Sequence, residues 1–138
     1  MEFTRRDTLA MGLGAAVLTL VPFRASAAAD AAIEAFTGGA AMADTGVELT
    51  APEIAENGNT VPVEVNAPGA ESILLLATGN PTPGVATFTF GPLAASQAAS
   101  TRIRLAGTQD VVAIAKMADG SFARASSTVK VTIGGCGG

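Results

Sequence analysis

The single thiol of the chain lies near the C-terminus, inside the run Gly134-Gly135-Cys136-Gly137-Gly138. Glycine has the largest backbone freedom to lose on ordering and brings no side chain to pack, so this run predicts a flexible tail. At roughly 3.3–3.6 Å per residue, the cysteine could stand up to about 10 Å beyond Ile133. A thiol placed in this way could form a covalent bond to a small cargo or a disulfide to another molecule. The alternative, an incidental thiol in a disordered terminus, does not explain why the one cysteine occupies so exposed a position.

The composition excludes several classes of function. The chain of 138 residues has no histidine and one cysteine, so it lacks the common hydrolase triads and Cys/His metal sites and cannot form an intramolecular disulfide. It has six Phe but no Trp or Tyr, which argues against surfaces that stack bases or sugars. A net charge of −4 disfavours nucleic acid and anionic membranes as partners. We therefore expect no bound metal or cofactor and no catalytic residue.

The N-terminus carries an export pattern. Arg5 and Arg6 precede a moderately apolar stretch over residues 10–21, and the small residues Ala25-Ser26-Ala27 offer a cleavage site. This arrangement is typical of a twin-arginine signal peptide, and the apolar stretch is shorter than the roughly 20 residues of a membrane span. We expect a signal peptide over residues 1–27, delivery to the periplasm, and no membrane attachment after cleavage.

Residues 28–133 predict one all-β domain, and residues 134–138 its flexible carrier arm. A short helix is expected over residues 30–36, because Asp30 is a suitable N-cap and Gly38-Gly39 would end it. From Val47 onward, short alternating or β-branched segments are separated by Gly, Pro, Asn and Asp, which indicates strands and turns. We expect an immunoglobulin-like antiparallel β-sandwich with a short N-terminal helix. Its seven or eight strands are predicted at residues 47–49 (continuing as far as 54), 61–65, 72–77, 86–90, 101–105, 111–117 and 121–133.

Two of these segments, residues 73–77 and 111–115, are apolar on both faces of the predicted strand. Either they are central strands covered by loops or by the helix, or their outer face packs on a second subunit. The sequence does not decide between these two possibilities. The run Asn80-Pro81-Thr82-Pro83 is predicted to be a surface loop.

The twin arginines Arg5-Arg6, the all-β body and the terminal run from Lys130 through Cys136 to Gly138 together resemble the SoxY family, the sulfur carriers of bacterial thiosulfate oxidation. The resemblance implies that Cys136 is the covalent attachment point for thiosulfate-derived sulfur. It also implies that Gly134, Gly135, Gly137 and Gly138 form the arm that presents this sulfur to enzymes. On this resemblance the protein is a non-catalytic carrier.

The resemblance also implies partners. In that family a c-type cytochrome couples thiosulfate to the cysteine, a manganese-dependent hydrolase removes sulfate, and a molybdenum-containing sulfane dehydrogenase can oxidise the remaining sulfur. The carrier works as a heterodimer with SoxZ, so the two-sided apolar strands become candidates for that interface. The alternative function is an exported structural or adhesion module that dimerises through a disulfide at Cys136.

Overall fold

The computed structural model describes residues 23–134. Within these residues one helix, α1, precedes nine strands. Their bounds are α1 Phe23–Thr37, β1 Met42–Ala43, β2 Glu48–Thr50, β3 Ile54–Ala55, β4 Val61–Asn66, β5 Ala70–Ala77, β6 Gly84–Thr89, β7 Ala98–Ile103, β8 Gln109–Met117 and β9 Phe122–Val131.

The strands form two sheets that pack as a sandwich, as predicted. The larger sheet has the order β1-β9-β8-β5-β6, with β3 also paired to β9, and the smaller sheet has the order β2-β4-β7. All pairs between the longer strands are antiparallel. The two-residue strands β1 and β3 instead run parallel to β9, one near each end of it. Segments this short carry no periodic pattern, so the sequence could not predict their direction.

The main core lies between the sheets. In β4, Val61, Val63 and Val65 are buried and the two residues between them are exposed, because successive side chains of a strand point to opposite faces. They pack with the inward-facing side chains of the larger sheet, including Leu75 of β5 and Val111 of β8. The alternation seen in the sequence therefore identified this face of the sandwich correctly.

The outer faces of β5 and β8 are covered by α1. Leu74 and Leu76 of β5 form a second buried cluster with Ile114 of β8, and Phe36 of the helix packs against it. The ring of Phe36 also meets that of Phe122 edge to face, with centroids 5.9 Å apart. Of the two possibilities open from sequence, the structure shows coverage by the helix. The proposal that these faces meet a second subunit is therefore wrong for the part of them that α1 buries.

The helix is longer than predicted and begins at Phe23, within the predicted signal peptide. Its first turns are rich in alanine, the best helix former, so helical structure continues well before the N-cap expected at Asp30. It ends at Thr37, followed by Gly38 and Gly39, whose φ values of +65° and +82° a glycine adopts readily. The C-terminal end of the helix was therefore predicted correctly and its beginning was not.

Candidate functional site

The chain leaves the sandwich after β9, and the three residues that follow, 132–134, are named here the tail root. Gly134 is described, whereas Cys136, Gly135, Gly137 and Gly138 lie outside the described residues. The predicted attachment point can thus be located only by its distance along the chain from Gly134. The described part of the site consists of the tail root and the two segments that contact it, residues 55–58 and 104–108.

One side of the tail root is hydrogen-bonded to residues 55–58. The backbone N–H of Thr132 donates to the carbonyl of Ala55 at 3.0 Å, and its hydroxyl donates to the carbonyl of Glu56 at 3.0 Å. The N–H of Gly58 donates to the carbonyl of Ile133 at 2.7 Å. These bonds continue the parallel pairing of β3 with β9, so the backbone stays held for two residues beyond the end of the strand.

The other side of the tail root lies against the loop of residues 104–108. The hydroxyl of Thr108 accepts a hydrogen bond from the N–H of Val131 at 3.0 Å. A Cβ built on Gly134 would overlap the carbonyl oxygen of Ala106. Gly134 therefore lies so close to this loop that only a residue without a side chain fits there.

Two buried amide side chains hold this loop in place. Asn80 is 2% exposed and Gln109 is 8% exposed, and they are joined by a hydrogen bond of 2.8 Å from Gln109 Nε2 to Asn80 Oδ1. Asn80 also accepts from the N–H of Ala106 at 2.9 Å and donates to the carbonyl of Arg104 at 2.8 Å. Gln109 donates in addition to the carbonyl of Gly107 at 3.0 Å.

The run of residues 80–83 is a surface loop, as predicted, with Pro81 and Thr82 exposed, but the buried side chain of Asn80 was not predicted. The neighbours of Asn80 in the Asn-Pro-Thr-Pro run suggested a solvated turn. Its side chain instead forms hydrogen bonds with backbone groups of Arg104 and Ala106, which have no backbone partner in that loop. Gln109, Thr108 and Ala106 were also missed as supports of the tail. An isolated amide or alanine carries no sequence pattern that could have found them.

The surface around the tail root is partly apolar. Ile54 of β3 is 59% exposed and Ile133 is 67% exposed. Next to them the exposed carboxylates of Glu53 and Glu56 contribute negative charge. Apolar side chains of this size usually lie inside a fold, and exposed ones beside a functional segment are candidates for contact with another protein.

Other features of the described residues do not form a catalytic constellation. A shallow depression of about 300 Å³ on the smaller sheet has one carboxylate, Glu64, and no basic side chain in its lining. Within residues 23–134 no group of three or more His, Cys, Asp or Glu could hold a metal ion. In the same range no helix is both long and apolar enough to span a membrane.

Comparison with known proteins identifies the family. A family model described as sulfur oxidation protein SoxY matches residues 33–136, so the matched region ends at the cysteine. The chain belongs to the SoxY family. Among solved structures, the sulfur carrier protein SoxY from Chlorobium limicola f thiosulfatophilum is 38% identical, with a TM-score of 0.67, and the match covers 78% of this chain and 98% of that one. No curated protein matches the chain.

More distant structural matches show the fold alone. A superoxide reductase (neelaredoxin) from Ignicoccus hospitalis is 19% identical, with a TM-score of 0.56 over 63% of this chain and 80% of that one. A crystal structure described as a putative superoxide reductase from Thermotoga maritima is 14% identical, with a TM-score of 0.50 over 62% and 84%. The resemblance to SoxY predicted from the sequence is thus confirmed at the level of family and fold.

Proposed function

We propose that this SoxY family member is a carrier that holds sulfur intermediates covalently on Cys136 and presents them to the enzymes of a thiosulfate-oxidising system. The observation that carries the proposal is the family match through residue 136, together with 38% identity to a protein described as a sulfur carrier. Cys136 is also the one thiol of the chain, so no other side chain offers the same chemistry.

In the loading step, the sulfur of Cys136 forms a bond to the outer sulfur of thiosulfate. The thiol loses one proton and two electrons leave with the oxidant, which is the c-type cytochrome partner. A manganese-dependent hydrolase then releases sulfate from the bound group, and a sulfane dehydrogenase acts on the remaining sulfur. The carrier supplies the attachment point and these partners supply the metals, so this chain needs no cofactor of its own.

The domain organisation follows the same proposal. Residues 1–27 serve as a twin-arginine signal peptide, residues 28–133 are the carrier domain, and Gly134, Gly135, Gly137 and Gly138 flank the cysteine in the arm. The mature protein acts in the periplasm as a heterodimer with a SoxZ-like β-sandwich subunit. Since α1 covers the outer faces of β5 and β8, that subunit binds a different surface of the sandwich.

Intact mass spectrometry of the protein after reaction with thiosulfate and the cytochrome partner tests the attachment. The native protein should gain the mass of one thiosulfate group, and Cys136→Ser should gain none. Ser has nearly the volume of Cys, and thermal denaturation of both proteins checks that the variant is folded. Thiosulfate oxidation that persists in Cys136→Ser would sink the proposal.

Non-reducing electrophoresis separates the carrier from the alternative, an exported module dimerised by a disulfide. A carrier should run mainly as a monomer of this chain, or with its partner subunit, and should carry a sulfur adduct. A permanent dimer that is lost on reduction, without any adduct, would favour the structural module.

A further inference from the structure

Gly134 is a glycine for a different reason from its neighbours in the tail. Its φ does not lie in the left-handed region, so its backbone conformation is open to any residue. What it lacks is space, because a Cβ at this position would overlap the carbonyl oxygen of Ala106. The overlapping atom belongs to the backbone, so no rotation of a side chain could relieve the contact.

The Ala106 carbonyl cannot easily withdraw. The N–H of Ala106 is held by Asn80, and the N–H of the preceding residue, Leu105, donates to the carbonyl of Gly58 at 2.8 Å. The N–H of the same Gly58 donates to the carbonyl of Ile133 at 2.7 Å. Gly58 therefore ties the loop and the tail root to each other, and Gly134, itself exposed, lies against the Ala106 carbonyl of that loop.

We propose that Gly134 is a positioning residue: it is the root of the carrier arm, held close against Ala106, and it sets where the chain that carries the thiol leaves the sandwich. This inference rests on the proposed function, since it concerns how the sulfur of Cys136 is delivered. Two residues beyond Gly134 span at most about 7 Å, compared with about 10 Å for the three residues beyond Ile133. A displacement of the root is then a sizeable fraction of the distance from the root to Cys136.

A short tether requires the receiving enzyme to approach closely. To take Cys136 into a cleft, the enzyme must bring the rim of that cleft against the end of the sandwich, where Ile54 and Ile133 are exposed. This end of the sandwich, from which the chain continues past Gly134, is thus expected to contact the enzymes that process the bound sulfur. Gly134 sets the direction in which the arm leaves this surface.

The substitution Gly134→Ala tests the inference, with Gly107→Ala as a matched control. Gly107 lies in the same loop, next to Ala106, but a Cβ there meets nothing within 4 Å and its φ also lies outside the left-handed region. We expect Gly134→Ala to shift the backbone amide resonances of Gly58, Leu105 and Thr132 and to speed their hydrogen exchange. Gly107→Ala should leave all three unchanged.

The functional readout is the kcat/KM of the manganese-dependent hydrolase for the thiosulfate-loaded carrier. Misplacing a reacting group by about 1 Å can cost up to about 100-fold in rate, so a loss of at least about tenfold is expected for Gly134→Ala. Alkylation of Cys136 by iodoacetamide should proceed at the native rate, because that small reagent does not depend on the direction of the arm. A merely structural role would lower the melting temperature and leave kcat/KM unchanged below it.

A second variant tests the contact between Thr108 and Val131, the residue that precedes the tail root. Thr108→Val removes the hydroxyl that accepts from Val131 and keeps Gly134, so it should lower kcat/KM in the same direction by a smaller factor. The inference is overturned if Gly134→Ala matches Gly107→Ala in both its amide resonances and its kcat/KM. Failure of the proposed function would be a separate result, seen as thiosulfate oxidation that persists in Cys136→Ser. The amide resonances of Gly134→Ala would still show whether the root is fixed.

Discussion

The substitution Asn80→Ala should destabilise the protein far more than its place in a polar, proline-rich run suggests. The native side chain is 2% exposed and takes part in three hydrogen bonds, to Arg104, Ala106 and Gln109. Alanine removes all three and leaves a backbone N–H and a backbone carbonyl without that partner. The variant therefore loses the three bonds, and the backbone groups that took part in them lose a hydrogen-bond partner.

The magnitude follows from the number of bonds. Each typical hydrogen bond contributes about 0.5–1.5 kcal/mol net, and partners left unsatisfied in a buried site cost about 1–3 kcal/mol. Gln109 keeps its bond to the Gly107 carbonyl, which limits the loss on that side. We expect a decrease of about 2–4 kcal/mol in the free energy of unfolding, which corresponds to a melting temperature lower by about 9–17 °C for a domain of this size.

Urea denaturation followed by circular dichroism measures this loss, and Asn57→Ala is the matched control. Asn57 lies at the same end of the sandwich, but its side-chain bond is a single exposed one, accepted from the N–H of Asn59 at 3.0 Å. The control should lose about 0.5–1 kcal/mol. If Asn80→Ala loses no more than Asn57→Ala, the buried amide pair does not hold the loop and the reasoning is refuted.

Two further predictions concern the helix and an exposed turn. Phe36→Ala should lower the free energy of unfolding by about 1–2 kcal/mol, since the ring is only half-buried against Phe122, and unchanged stability in thermal denaturation would show that α1 contributes little cover. The hydroxyl and N–H of Ser121 both donate to Asp119 and hold the pKa of that carboxyl below its ordinary value, so Ser121→Ala should raise this pKa in an NMR titration. Because the pKa of Asp119 is lowered in the folded state, this interaction stabilises the protein at neutral pH and is lost as the pH falls through that pKa. An unchanged titration curve in Ser121→Ala would contradict the role given to Ser121.

The sandwich could be predicted from the sequence because its evidence is local. Alternation in Val61, Val63 and Val65 and the separation of strands by turn residues depend only on near neighbours. Strand limits were less accurate: β7 begins at Ala98, ahead of the predicted residue 101, because Ala98 to Ser100 lack β-branched side chains and join the strand by pairing with β4. Tertiary context thus extended an element that propensity alone would have shortened.

The chemistry that this protein can offer follows from its composition and residue order. Having one thiol and no histidine is a property of composition, and the place of Cys136 in a run of glycines is a property of order, so neither depends on folding. How that run is attached to the sandwich depends on contacts made in the folded protein. The contact between Gly134 and Ala106, and the bonds that Asn80 forms 24 to 29 positions along the chain, exist only after distant segments have been brought together. In sequence all four glycines of the tail look equivalent, and it is packing against a fixed carbonyl that distinguishes the first of them.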